Sequence, residues 1–199
     1  MIRLLLATRN AHKTREFAEI LGEGFEVTDL RDAADVREIE ETGGSFAENA
    51  ILKSAGVSQD RQDLVVADDS GLEVDALYGA PGIYSARYGG EMASDQDNVE
   101  KLLRELARQS EAKRTARFRC VIALARGGEL LGTFEGVAEG TIVDPPRGRA
   151  GFGYDPVFLP AGFEQTFAEL PAKTKNEISH RARAVRKLIA YLNTARPSA

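Results

Sequence analysis

The sequence predicts an α/β protein built around a mixed sheet. Short apolar strands alternate with amphipathic helices early in the chain, and two longer strands follow one another around Gly127-Gly128 later on. The first pattern is typical of strands joined by helices, and the second of a β-hairpin. We expect a single domain over residues 1–199, because no linker or low-complexity segment divides the chain.

Strands are predicted where short apolar runs are bounded by polar residues. These runs are IRLLLAT (2–8), FEVTDL (25–30) and LVVAD (64–68), and the hairpin joins TARFRCVIALARGG (115–128) to ELLGTFEGVAEGTIV (129–143). Residues 71–93 combine many glycines with short apolar stretches, which indicates irregular structure or short strands.

Helix starts are predicted from capping patterns. Three such pairs occur, namely Ser45 with Glu48, Ser94 with Asp97, and Thr174 with Glu177. The helix that begins at the first pair is expected to run to about residue 58. An earlier helix, AHKTREFAEILG (11–22), ends at a glycine.

The last helix carries an apolar stripe. Its members recur at helical spacing and are Ile178, Ala182, Val185, Ile189 and Leu192. His180 and Arg181 lie off this stripe, so we expect them to face away from the core.

Composition narrows the function classes. A formal net charge of −5 is unfavourable for binding nucleic acid. The single cysteine, Cys120, excludes an internal disulfide and fits a reducing compartment. No apolar run reaches the roughly 18 residues of a membrane span. We expect a cytoplasmic protein without nucleic-acid or membrane partners.

The segment ATRNAHK (7–13) ends a strand and begins a helix. Backbone N–H groups at a helix N-terminus bind phosphate. Lys13 lies in the first turn, where a cation is unfavourable beside the positive end of the helix dipole unless an anion binds there. The alternative is that Asn10 is an ordinary N-cap and His12 is simply exposed. The segment lacks the P-loop pattern.

Carboxylates suited to a metal follow two other elements. Glu40 and Glu41 precede a glycine turn, and Asp68 and Asp69 end a strand at the position where open α/β sheets place ligand sites. Oxygen ligands of this kind bind Mg²⁺. Because side chains alternate along a strand, the two aspartates should point to opposite sides, with one facing the site. The alternative for the glutamates is a solvated acidic loop.

Two late segments are candidates for contact with a nucleotide base. GRAGFGYDPVF (148–158) places Phe152, Tyr154 and Asp155 on a glycine-rich loop, where the rings either stack on a base or anchor the loop to the core. KTKNEISHRAR (173–183) supplies donors that either bind an anionic ligand or form a solvated helix face.

In this combination and order, the sequence resembles the inosine and xanthosine triphosphate pyrophosphatases. The resemblance covers nearly the whole chain and rests on ATRNAHK, ETGGSFAENAILKS, ADDSGLEVDALYGAPGIYSARYGG, GFGYDPVF and KNEISHRARA. It implies a long central mixed and twisted sheet flanked by helices, with two lobes around a nucleotide-binding cleft. It also implies a homodimer, and residues 71–93 are a candidate for the dimer surface.

The resemblance implies a role for each matching residue. Asp69 would be the general base and, with Glu41, would hold Mg²⁺. Nucleotide-binding residues would be Thr8, Arg9, Asn10, Ala11, His12, Lys13, Lys53, Ser70, Phe152, Gly153, Tyr154, Asp155, Lys175, His180 and Arg181. Arg9 stands where glycine is common in the family.

The implied reaction is water attack on the α-phosphorus of ITP, dITP, XTP or dXTP, which releases pyrophosphate and a monophosphate. Donors at the 6-keto oxygen, from His180, Arg181 or backbone, would reject adenosine. Replacing Arg181 with alanine is then expected to reduce turnover far more than stability. Two other functions stay open: a nucleotide sensor without turnover, and a pyrophosphatase for modified pyrimidine nucleotides.

Overall fold

The computed structural model describes residues 1–31, 33, 36, 39–109 and 113–194. In this part of the chain the strands and α-helices are, in order, β1 (Ile2–Leu6), α1 (Ala11–Leu21), β2 (Phe25–Asp29), α2 (Phe46–Ser58), β3 (Leu64–Val74), α3 (Asp95–Ala107), β4 (Thr115–Arg126), β5 (Glu129–Ile142), β6 (Phe158–Pro160), α4 (Ala172–Ile178) and α5 (His180–Thr194). None of the helices within these ranges combines the length and apolarity needed to span a bilayer.

The strands form one mixed sheet in the order β2-β1-β3-β4-β5-β6. β1 runs parallel to both β2 and β3, whereas β6 runs antiparallel to β5. The predicted hairpin is confirmed, because β4 and β5 are neighbours in the sheet and are separated by Gly127-Gly128. The prediction of an α/β fold with a mixed sheet is therefore confirmed.

The contacts divide the chain into two compact units. Unit 1 comprises Met1–Asp69, Cys120–Gly136 and His180–Ala199. Unit 2 comprises Ser70–Arg119 and Val137–Ser179.

Unit 1 has a buried core on each face of the sheet, because successive strand residues point to opposite sides. On one face, Leu4, Leu6 and Val66 join a cluster with residues of α1 and α5. On the other face, Leu5 and Val65 pack in a cluster with α2. The same alternation, continued along β3, directs Asp68 and Asp69 to different helices.

The third strand is longer than the sequence predicted. The strand was expected to end near residue 68, but β3 continues to Val74. Leu72 and Val74 are fully buried in the unit 2 core, and this burial stabilises the extension. Irregular structure was correctly expected farther along, where short 3₁₀ turns cover Asp75–Leu77 and Gly82–Arg87.

Two of the three predicted capping pairs are confirmed. The Ser45 side chain accepts a hydrogen bond from the Glu48 N–H, and Ser94 forms a reciprocal capping box with Asp97. The third pair is wrong, because α4 begins directly after Pro171, and Thr174 lies inside the helix. Pro171 is the N-cap of α4 and has a non-helical backbone, with φ −56° and ψ 141°.

The predicted last helix is two helices. Ser179 is extended, with φ −66° and ψ 160°, and separates α4 from α5. The apolar stripe therefore begins at Ala182 rather than Ile178, which packs against the unit 2 core. At the start of α5, a Cβ on Gly136 would overlap the His180 carbonyl oxygen, so this helix lies directly on the β5 backbone.

Candidate functional site

Asp68 is the centre of a buried ion network in unit 1. Its carboxylate lies 3.0 Å from the Lys13 Nζ and 3.1 Å from the Arg181 Nη2. The Arg181 Nη1 lies 2.5 Å from a carboxylate oxygen of Glu16, which is on α1 with Lys13. Only 1 % of Arg181 is exposed. The network therefore joins β3, α1 and α5.

The charges around Asp68 keep it ionised. Its burial opposes ionisation, but Lys13, Arg181 and Lys53 outweigh that effect and hold the pKa of Asp68 well below its usual range. Burial also disfavours the charged form of Arg181, yet Glu16 and Asp68 raise its pKa above the ordinary value.

This network corrects one prediction about α5. The expectation that His180 and Arg181 face away from the core is wrong, since both are buried. The break at Ser179 shifts the helical periodicity, and two carboxylates offset the cost of burying the Arg181 guanidinium.

Asp69 points to the other face, toward α2, as strand alternation predicted. Its carboxylate accepts a hydrogen bond of 3.1 Å from the Asn49 Nδ2. The Lys53 Nζ lies 3.8 Å from Asp69, 2.9 Å from Glu41 and 2.7 Å from the Asp68 carbonyl oxygen. Lys53 thus connects the two carboxylates that the family resemblance assigns to a metal.

Burial raises the pKa of Asp69 above its usual value, and the charge of Glu41 adds to this rise while Lys53 and Asn49 oppose it. The pKa of Lys53 is raised, as expected for an ammonium group beside carboxylates. Burial lowers it, but Asp68, Asp69 and Glu41 together raise it above the ordinary value.

A cavity of about 190 Å³ opens beside these side chains in unit 1. Its polar lining comes from the loop after β1 and from the Glu41–Lys53 pair. The lining residues are Ala7, Thr8, Arg9, Lys13, Leu30, Ile39, Glu41, Lys53 and Val57. A cavity with two lysines on its wall is suited to a phosphorylated ligand.

The loop that borders this cavity is shaped by its own side chains. Asn10 caps α1 by accepting from the N–H groups of His12 and Lys13, and the Thr8 hydroxyl accepts from the Asn10 N–H. Ala11 is the first residue of α1. His12 is exposed. The N-cap alternative for Asn10 is therefore confirmed, and the capped loop still places Lys13 at the cavity.

Arg9 braces a neighbouring segment. Its guanidinium donates to the Leu30 carbonyl oxygen at 2.6 Å and to the Val36 carbonyl oxygen at 3.1 Å. These contacts assign Arg9 a structural role at the cavity wall in addition to any contact with a ligand.

In unit 2, the glycine-rich loop is clamped around Asp155. The Asp155 carboxylate accepts from the Phe152 N–H at 3.0 Å and from the Lys175 Nζ at 2.5 Å. The Lys175 Nζ also lies 5.1 Å from the centre of the Phe152 ring, within range of a cation–π interaction. Asp155 and Lys175 are both buried.

The two loop aromatics have different environments. Tyr154 is buried in the unit 2 core, and its hydroxyl donates to the Ser85 carbonyl oxygen at 2.9 Å. The structure thus favours the anchoring alternative for Tyr154. Phe152 and Gly153 are half-buried, which leaves the Phe152 ring as the candidate stacking surface. Ser70, the first residue of unit 2, is half-buried in β3.

Gly151 is required by this clamp. It has a φ of +76°, and a Cβ there would overlap the Asp155 Oδ2. Gly162 has a similar φ of +85° but open space around it.

Replacing Gly151 with alanine should therefore destabilise the protein more than replacing Gly162. Both variants carry the strain of a left-handed residue, about 1–2 kcal/mol. Only Gly151→Ala also displaces a buried carboxylate, which should cost at least about 1 kcal/mol more. Urea unfolding of the two variants measures this difference. Equal losses in the free energy of unfolding would show that Gly151 is not part of the clamp.

Glu16, Asn49 and Asp95 take part in these networks but were not among the predicted site residues. Glu16 and Asn49 carry a spacing signal, since they lie three residues after Lys13 and four before Lys53 on their helices. Asp95, which accepts from the Gly153 N–H at 2.6 Å, carries no such signal, because its partner is 58 residues away in the sequence.

The fold and these two clusters define an α/β protein with a lysine-lined cavity beside acidic side chains and a separate clamped aromatic loop. The Ham1 family model matches residues 4–191, and the chain belongs to the Ham1 family. The family resemblance inferred from the sequence is thereby confirmed.

Relatives with assigned names are similar over almost the whole chain. A dITP/XTP pyrophosphatase of Bacillus licheniformis is 49 % identical over 196 residues, which are 98 % of this chain and 100 % of the relative. A dITP/XTP pyrophosphatase of Bacillus subtilis is 49 % identical over 193 residues, 96 % of this chain and 98 % of the relative.

Solved structures agree with this relationship. A HAM1 protein from Coxiella burnetii has a TM-score of 0.88 at 39 % identity, and the Staphylococcus aureus Ham1 protein has a TM-score of 0.86 at 41 % identity. Each comparison covers 98 % of this chain and 100 % of the solved chain.

Proposed function

We propose that this chain hydrolyses non-standard purine nucleoside triphosphates, namely ITP, dITP, XTP and dXTP, to the monophosphate and pyrophosphate. The observation that carries the proposal is the unit 1 cavity, on whose wall Lys13, Lys53 and Glu41 lie next to Asp69. The names of the two Bacillus relatives support two of these substrates, dITP and XTP.

The unit 1 residues suit the phosphates. Lys13 and Lys53 would bind phosphate oxygens and stabilise the departing pyrophosphate. Asp69, whose carboxylate is held by Asn49, would orient a water molecule and accept its proton as the water attacks the α-phosphorus. Asp68 would act through Lys13, because its carboxylate fixes the Lys13 ammonium at 3.0 Å.

The same cluster fits Mg²⁺. Among the residues that the structure describes, no group of three or more His, Cys, Asp or Glu side chains is arranged to hold a metal ion. Mg²⁺, however, is commonly bound through one or two carboxylates together with substrate phosphates and water. Glu41 and Asp69 would supply these carboxylates, and the ion when bound would neutralise charge on the phosphate oxygens.

The unit 2 loop suits the base. The half-buried Phe152 ring would stack on the purine. The Lys175 Nζ lies 5.1 Å from the centre of the Phe152 ring. Selectivity would come from donors at the 6-keto oxygen, where adenosine presents an amino group instead. Because Arg181 already binds Glu16 and Asp68, we assign this contact first to His180 and backbone N–H groups.

We also propose a cytoplasmic homodimer. The single cysteine fits a reducing compartment. In unit 2, Tyr78 is 98 % exposed, Tyr84 56 % and Met92 97 %, and all three lie within residues 71–93, the candidate dimer surface. Exposed apolar side chains that form one large patch commonly mark an interface.

A substrate panel tests the proposed function. Pyrophosphate release from ITP, XTP, ATP, GTP and modified pyrimidine triphosphates would be followed by a phosphate assay with added inorganic pyrophosphatase. We expect rapid release from ITP and XTP in the presence of Mg²⁺, and little from ATP. Binding of ITP without pyrophosphate release would indicate a nucleotide sensor. Preference for a modified pyrimidine triphosphate would indicate a pyrophosphatase for modified pyrimidine nucleotides.

A further inference from the structure

The N-terminus of α3 holds the aromatic loop of unit 2 in place. Ser94 and Asp97 cap the helix reciprocally, so the cap does not depend on Asp95. The Asp95 carboxylate instead accepts a hydrogen bond of 2.6 Å from the Gly153 N–H. Asp95 therefore links the N-terminus of α3 to the loop that carries Phe152.

Two successive peptide groups of this loop are held by carboxylates. The Phe152 N–H donates to Asp155, and the Gly153 N–H donates to Asp95. Gly153 has a φ of +60°, a left-handed conformation that the two contacts hold in place. Because the Phe152 Cα lies between these N–H groups, the contacts together constrain the direction of the Cα–Cβ bond from which its ring extends.

The same helix also organises the segment that supports Tyr154. Asn98 accepts from the Gly89 N–H at 2.6 Å and donates to the Ala86 carbonyl oxygen at 3.2 Å. Tyr154 in turn donates to the Ser85 carbonyl oxygen. The loop is thus held by α3 directly through Asp95 and indirectly through Asn98.

We infer that Asp95 is a positioning residue for base recognition: it fixes the Phe152–Gly153 peptide so that the ring is already oriented when the purine binds. The inference rests on the proposed function, in which Phe152 stacks on the base. Asp95 does not itself contact substrate, so its effect should fall on the binding of nucleotides that carry a base and not on the phosphate contacts of unit 1.

The test compares Asp95→Ala, Asp95→Asn and Asp97→Ala with the parent protein. Asp97 is the matched control, because it is exposed on the same helical turn and its contacts are with Ser94. KM and kcat for ITP would be measured with Mg²⁺, together with the inhibition constant of inorganic tripolyphosphate, which has no base. The melting temperature of each variant reports any loss of the helix cap.

We expect Asp95→Ala to raise KM for ITP roughly fivefold, the size expected for the loss of one hydrogen bond of ordinary strength at an exposed position. The kcat and the inhibition constant of tripolyphosphate should stay within roughly twofold of the parent values, which is slightly less than the effect of losing even a weak hydrogen bond. Asp95→Asn keeps an acceptor and should restore KM, whereas Asp97→Ala should lower the melting temperature and leave KM unchanged.

Equal KM values in Asp95→Ala and Asp97→Ala would overturn the inference. A parallel rise in the inhibition constant of tripolyphosphate in Asp95→Ala would also overturn it, because the effect would then not concern the base. If the parent protein released no pyrophosphate from ITP, the proposed function would fall and this inference with it. A fall in melting temperature alone would show a role only in helix stability.

Discussion

Replacing Asp69 with asparagine should lower kcat for pyrophosphate release by about 10²–10⁴-fold, the usual contribution of a general base. Asparagine keeps an oxygen that can accept from Asn49, and Lys53 keeps Glu41 as a partner. The geometry should therefore survive, while the group that accepts the proton in the proposed mechanism is lost.

The stability of the same variant separates catalysis from folding. Burial raises the pKa of Asp69, so ionising this carboxylate costs more free energy in the folded protein than in the unfolded chain. Asp69→Asn should therefore leave the melting temperature unchanged or raise it. If the Asp69 carboxylate instead stabilised the fold, its removal would lower the melting temperature. Asp63→Asn is the control, because Asp63 is exposed one residue before β3. Parental turnover in Asp69→Asn would remove this residue from the mechanism.

Replacing Arg181 with alanine should destabilise the fold by about 3–5 kcal/mol, the cost of breaking a buried ion pair by removing one partner. The reason is that Glu16 and Asp68 would lose the cation between them while Asp68 stays buried. This reverses the expectation from sequence that the change would affect turnover far more than stability.

Chemical unfolding at neutral pH measures the effect of Arg181→Ala. Arg181→Lys should recover part of the loss, because lysine restores the charge but not the two-pronged contact of the guanidinium. Lys187→Ala removes a cation from an exposed position of α5 and should change the free energy of unfolding by about 0.5 kcal/mol or less. A loss for Arg181→Ala as small as that of Lys187→Ala would show that the network contributes little to the fold.

The parts of the fold that depend on local chemistry could be predicted from the sequence. The N-caps at Asn10, Ser45 and Ser94 are examples, since a side-chain oxygen and the following N–H groups suffice to specify them. The same local reasoning failed at Thr174, where the preceding Pro171 starts the helix earlier. A capping pattern alone does not show which of two nearby starts the chain adopts.

The parts that depend on distant partners could not be predicted. The split between Asp68 and Asp69 follows from strand alternation, but the identity of their partners does not. Arg181 lies 113 residues from Asp68 in the sequence, so the sequence does not show that the two are partners. Without knowledge of the carboxylates that offset its burial, the position of Arg181 off the apolar stripe indicates an exposed side chain. The burial of Tyr154 beside the half-buried Phe152 similarly depends on the unit 2 core.

The claim that water attacks the α-phosphorus can be tested by hydrolysing ITP in H₂¹⁸O with Mg²⁺ and identifying the products by mass spectrometry. We predict inosine monophosphate that carries ¹⁸O and pyrophosphate that does not. Label in the pyrophosphate, or release of inosine diphosphate with inorganic phosphate, would contradict the proposed reaction.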